Sequence, residues 1–133
     1  EAAAAEAWAK VRAEGRRTDP RTLSAFLSTR GEDPALALEL ADEEYATRKD
    51  VLTEDARAWA LYRAGKLDEA KRSIARARRL GTPDARLVYH EGAIAIATGD
   101  KAKGKKLVEQ ALATNSAFDW KGALEAKKLL ENR

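Results

Sequence analysis

His90 is the chain's single histidine. It follows Arg86 and Tyr89 closely, and a second group, Trp59, Tyr62 and Arg63, lies upstream. One imidazole cannot build a multi-histidine metal site, and with no cysteines there are no thiolates to complete one. A Ser–His–Asp arrangement would have to form around His90, but no G-x-S-x-G nucleophile elbow is present. Asp42, Glu43 and Glu44 are consecutive on a helical stretch, so their side chains point to different sides and cannot work as a carboxylate pair. Gly99 to Lys106 has the spacing of a phosphate-binding loop. However, Lys106 stands where a magnesium-holding hydroxyl is required, and no parallel sheet is in prospect to carry it. What remains is recognition: tryptophan, tyrosine and arginine are the residue types that dominate binding hot spots. No cofactor and no enzymatic activity are expected.

A rival signal is the basic run Lys71, Arg72, Arg76, Arg78 and Arg79, continued by Lys101, Lys103, Lys105 and Lys106. Residues 57–106 hold 13 Lys/Arg against 5 Asp/Glu, whereas residues 1–56 hold 8 against 13. Such a surface, with Lys71, Arg72, Arg76 and Arg79 as its candidate residues, could bind a phosphate backbone or another anionic surface through counterion release. It lacks interleaved aromatics for base stacking, and Glu69 and Asp100 dilute it. A solvated helix face is the simpler account, and nucleic acid is not the expected partner.

These residues need a scaffold. The 133 residues are about one domain. Their composition, 35% charged, 44% hydrophobic and 6% aromatic, suits closely packed helices better than a sheet. No apolar run is long enough to span a bilayer. The start at Glu1, without a methionine or a signal-like segment, reads as a processed or excised piece and leaves localisation open.

Gly31, Gly65 and Gly99 are spaced by 34 residues each. The same step aligns Ser24, Ala58 and Gly92, then Leu36, Ala70 and Gly104, then Leu40, Ile74 and Val108. It also aligns Glu43, Ala77 and Ala111, where only Glu43 breaks an apolar rule. Glycine supplies the tight turn of a helical hairpin, small residues let paired helices approach, and aliphatic positions fill the seams. A salt bridge from Glu43 to a basic residue on the next hairpin is expected. Periodicity and stop signals predict helices over 2–14, 19–30, 33–48, 51–64, 67–80, 84–98, 100–114 and 117–131. Asp33, Asp84 and Asp100 are read as N-caps and Pro34 as a first helical residue.

The stretch DARAWALYRAGKLDEA, Asp55 to Ala70, and LVYHEGAIAIATGD, Leu87 to Asp100, together with the 34-residue step, resemble the tetratricopeptide repeat family. The resemblance covers roughly residues 17–118 and is strongest over 51–118. It departs from the family pattern at Glu43, at Gly104 where alanine is usual, and at Thr82-Pro83. A mid-helix glycine costs about 1 kcal/mol against alanine, so the third repeat is expected to be the weaker.

The resemblance implies an all-α, right-handed solenoid of antiparallel helix pairs. An orphan helix (1–16) would precede repeats 17–50, 51–84 and 85–118, and a capping helix (119–133) carrying Trp120, Leu124 and Leu129 would follow. It also implies a concave surface lined by the first helix of each pair. There it would place Thr18, Arg21, Ala25, Ser28 and Thr29, then Leu52, Asp55, Trp59, Tyr62 and Arg63, then Arg86, Tyr89, Ala93, Ile96 and Ala97. Arg21, Asp55, Trp59, Tyr62, Arg63, Arg86, Tyr89 and His90 are the candidate partner-binding residues. Packing against the neighbouring hairpin is the alternative for Trp59 and Tyr62. Some members clamp a partner's terminal carboxylates; Arg21, Arg86 and His90 match basic positions of that clamp, but Ala25 and Ala56 replace its asparagines, so that ligand is not expected. The expected partner is a protein or peptide segment, with self-association by end-to-end stacking as a further reading.

Overall fold

The computed structural model describes residues 1–80, 84–118 and 120–131, with the side chain of Trp120 excepted. Thr82 and Pro83 lie outside the described residues. Those described form eight helices and no strand: α1 (Ala2–Thr18), α2 (Pro20–Arg30), α3 (Pro34–Thr47), α4 (Val51–Arg63), α5 (Leu67–Leu80), α6 (Ala85–Ala97), α7 (Lys101–Thr114) and α8 (Trp120–Glu131). None of them is long and apolar enough to cross a membrane.

Capping explains most of the boundaries. Asp33, Asp84 and Asp100 cap α3, α6 and α7 as expected, and Asp19 and Asp50 do the same for α2 and α4. Gly31, Gly65 and Gly99 all have positive φ, at 69°, 79° and 100°. After each, the next amide donates back into the preceding helix: Glu32 to Leu27 O, Lys66 to Leu61 O and Asp100 to Ala95 O, each at 2.9 Å. This closing bond needs a left-handed residue, which is why glycine recurs there.

Two boundaries differ from the sequence reading. α1 continues through Gly15 to Thr18, helped by Arg16 and Arg17 in its last turn, until Asp19-Pro20 starts the next helix. α8 begins at 120 rather than 117, because Asn115 is extended and its Oδ1 accepts from the Ala117 amide at 3.0 Å, holding the chain in a turn.

Packing is most extensive between α6 and α7, followed by α4 with α5 and α2 with α3. The next tier joins α3 to α4, α2 to α4 and α5 to α6. Ser24, Ala58 and Gly92 are all buried, as are Leu40, Ile74 and Val108. The pair expected to be weakest is thus the most closely packed. A Cβ on Gly104 would lie 2.6 Å from Gly92 O, and one on Gly92 would lie 2.8 Å from Gly104 O. Gly104 is where two helix backbones touch, so the loss in helix propensity is exchanged for that approach.

Glu43 also departs from expectation. It is exposed and pairs with Arg16 of α1, two helices earlier in the chain rather than on the next hairpin. The three adjacent carboxylates go three ways: Asp42 accepts from Arg57 on α4, Glu43 from Arg16, and Glu44 faces Arg48.

The last helix does not simply cap the end. α8 contacts α7, α6 and also α2, reaching back across the molecule. Its inward face is Gly122, Ala123, Ala126, Leu129 and Leu130, and Leu124, expected on that face, is 49% exposed. Positions 122, 126 and 129–130 recur at helical spacing, whereas 124 falls between them on the far side.

Candidate binding groove

Arg21, Ala25, Phe26, Thr29 and Arg30 of α2 form one wall of a groove of about 530 Å³. Leu52, Asp55, Ala56 and Trp59 of α4 supply its floor, and Arg86 and His90 of α6 its far side. Phe118 and Lys121 close one end. The Asp19 and Asp50 caps set the starts of α2 and α4, and so the depths at which Arg21 and Leu52 project.

Five of the expected partner-binding residues therefore line one groove: Arg21, Asp55, Trp59, Arg86 and His90. Their states differ. Asp55 and His90 are bound to each other, Oδ1 to Nδ1 at 2.7 Å. The His90 ring stacks on Trp59 with centroids 4.0 Å apart and planes 16° from parallel. Trp59 is only 2% exposed and also stacks on Tyr62 at 4.6 Å, so it acts as a covered floor rather than a projecting anchor. Arg21 lies 3.8 Å from Asp50, a loose pairing. Among the described residues, no hydrogen bond or ion pair engages the exposed Arg86 side chain.

The other three, Tyr62, Arg63 and Tyr89, are covered from the α8 side. Arg63 Nε donates to Ser28 O at 2.6 Å, its Nη2 reaches Thr29 O at 3.4 Å and Glu125 Oε2 at 2.8 Å, and the guanidinium stands 5.0 Å from the Trp59 ring centre. Tyr89, 2% exposed, donates its hydroxyl to Glu125 Oε2 at 3.2 Å. Burial, and then the nearby Glu125 charge, push the Tyr89 phenol well above its ordinary pKa, so it stays protonated and remains a donor. Burial likewise raises the Tyr62 phenol.

Four cations, Arg21, Arg30, Arg86 and Lys121, thus stand around a largely apolar interior with one carboxylate that is already paired. Arg30 and Lys121 are partly engaged, Arg30 by Glu32 at 2.8 Å and Lys121 through the Arg30 carbonyl at 2.7 Å. Ala25 and Ala56 line the groove without any side-chain donor. The arrangement suits a ligand with negative charge at the rim and an apolar group inside.

Sequence reasoning missed Phe26, Arg30, Phe118, Lys121 and Glu125. Phe26 is 44% exposed beside Trp8, with ring centroids 5.7 Å apart. The apolar period of α8, flanked by Glu125, was the available signal for the last group.

The basic second-helix surface is divided. Arg76 donates to Glu54 Oε1 at 3.0 Å, and Arg78 pairs with Glu91. Glu54, 2% exposed, also accepts from Ser73 at 2.9 Å. Lys71, Arg72 and Arg79 are exposed, and no hydrogen bond or ion pair engages their side chains among the described residues. No protein-family model, curated protein or solved structure matches this chain.

Proposed function

We propose that the chain is a protein-interaction module of the tetratricopeptide-repeat type. In this reading α2–α3, α4–α5 and α6–α7 are antiparallel pairs stacked as a right-handed solenoid, and the groove holds a short acidic segment of a partner protein. The 34-residue recurrence of positive-φ glycines and the contacts of α2 with α4 and of α4 with α6 support the architecture. One observation carries the function: Arg86 stands unengaged by any described residue at the edge of a groove whose lining includes Trp59, Leu52, Ala25 and Ala56. A cation of this kind adds electrostatic steering, and the apolar interior supplies burial. The chain acts by holding its partner, not by catalysis.

Random-peptide display on the full chain tests this. The expected winners carry acidic residues beside one or two large apolar residues, and they are lost on Arg86→Glu. Winners that are indifferent to both Arg86→Glu and Arg21→Glu would remove the groove from consideration.

Lys71, Arg72 and Arg79, unengaged by any described residue, favour a second reading, an electrostatic contact with nucleic acid or another anionic surface. It predicts binding that falls steeply with salt and is lost in Arg72→Glu/Arg79→Glu while Arg86→Glu is silent.

A further inference from the structure

α8 packs across α7 and α6 and reaches α2. Its seat is formed by α6 and α7 with parts of α4 and α2, beside the open groove, and it is built like a binding surface, with an apolar centre and a charged clamp beside it. Ala126 is fully buried against the cluster holding Trp59, Tyr89 and Ala93, and Leu129 and Leu130 pack on the same cluster. Next to Ala126, Glu125 Oε2 takes hydrogen bonds from Arg63 at 2.8 Å and Tyr89 at 3.2 Å. The opposite face carries Leu124, Lys127, Lys128 and Glu131, all exposed. α8 is connected through residues 115–118, which are not helical and, apart from Phe118, are exposed.

We propose that α8 is a displaceable occupant of its seat, and that the seat receives an amphipathic helix of a partner protein in its place. The chemistry of α8 defines that partner helix: a carboxylate for Arg63 and Tyr89, a small residue directly after it, and leucines one turn further on, at the spacing of Glu125, Ala126, Leu129 and Leu130. Charge complementarity supports this choice, because the clamp consists of a guanidinium and a protonated phenol, both donors, and an acidic residue satisfies both. The inference extends the proposed binding role from the open groove to the surface beneath α8. While α8 is seated, Phe118 and Lys121 close one end of the groove, so its release would also lengthen the open site.

A fluorescent peptide with the sequence of residues 117–131 serves as the probe, titrated by anisotropy into the full chain. Glu125→Ala/Leu129→Ala in the chain weakens its own α8 and leaves the peptide intact. The peptide is expected to bind this variant at least about 10-fold more tightly than wild type. A peptide carrying Glu125→Ala should lose about 10-fold, the scale of one hydrogen bond to a charged group. Equal, weak binding to wild type and to a variant that keeps its helical circular dichroism would overturn the proposal. If the variant does not fold, hydrogen exchange on wild type decides. Amides of α8 exchanging well before those of α4 and α6 are the expected result, and equal protection is the contrary one. These readouts need no ligand in the open groove, so their failure is distinct from failure of the display selection at Arg86.

Discussion

Arg63 on α4 donates to Glu125 on α8 at 2.8 Å while its Nε holds the Ser28 carbonyl at the end of α2 at 2.6 Å. One side chain thus joins three helices far apart in sequence. An arginine that looked open to solvent is engaged within the chain while α8 is seated. Arg63→Ala is expected to cost about 2–3 kcal/mol, since it strips partners from a carbonyl and a carboxylate at a part-buried site. Arg86→Ala should stay within about 0.5 kcal/mol, as a surface change without partners. Urea denaturation of both variants reads the contrast.

Gly104→Ala should destabilise the chain despite alanine's higher helix propensity. The added carbon would stand 2.5 Å from Ile96 Cγ1 and 2.6 Å from Gly92 O, and a backbone oxygen cannot rotate away. Overpacking of this kind costs about 1–3 kcal/mol, against the roughly 1 kcal/mol gained from propensity. A thermal melt showing a lower midpoint supports the close approach of α6 and α7, and an unchanged or higher midpoint contradicts it.

Arg76 and Arg79 lie on one helix, but only Arg76 serves a buried carboxylate. Arg76→Ala should therefore destabilise by about 2 kcal/mol, because the buried Glu54 side chain loses one hydrogen-bond partner, whereas Arg79→Ala should be nearly neutral. Chemical denaturation separates them. Equal effects would mean that the Glu54 pair contributes little.

Asp19 is held below the ordinary carboxylate pKa, first by the Thr22 hydroxyl at 2.6 Å and then by the Thr22 amide at 3.1 Å. Its folded pKa is lower than its unfolded one, so between the two the unfolded chain binds more protons. Its contribution is present above about pH 4, near the unfolded carboxylate value, and is lost as pH falls through the folded value. Asp19→Ala should cost about 1 kcal/mol at neutral pH through loss of the cap. Asp19→Asn should keep most of the cap and flatten this part of the acid limb. Stability measured from pH 2 to 7 distinguishes the two.

Much of the helical layout is legible in the sequence because it depends on local chemistry. The left-handed glycines, the aspartate caps and the small residues at close approaches each have a short-range cause. The resemblance also pointed to Arg21, Asp55, Trp59, Arg86 and His90, and these five line one groove. What spacing could not supply was occupancy. Whether Tyr62, Arg63 and Tyr89 face solvent depends on where α8 lies, and that follows from long-range packing of Ala126, Leu129 and Leu130. The partners of Glu43 and Arg76 escaped for the same reason: each is selected by a helix docked beside it, not by its own repeat position.

The central claim is that the groove between α2, α4 and α6 holds a partner segment. Amide chemical-shift mapping of the isotope-labelled full chain, titrated with a display-selected acidic peptide, tests it most directly. The account predicts shifts concentrated at Arg21, Ala25, Leu52, Ala56 and Arg86, with Lys71, Arg72 and Arg79 unmoved. Shifts confined to α5 and α7, with the groove residues silent, would contradict it.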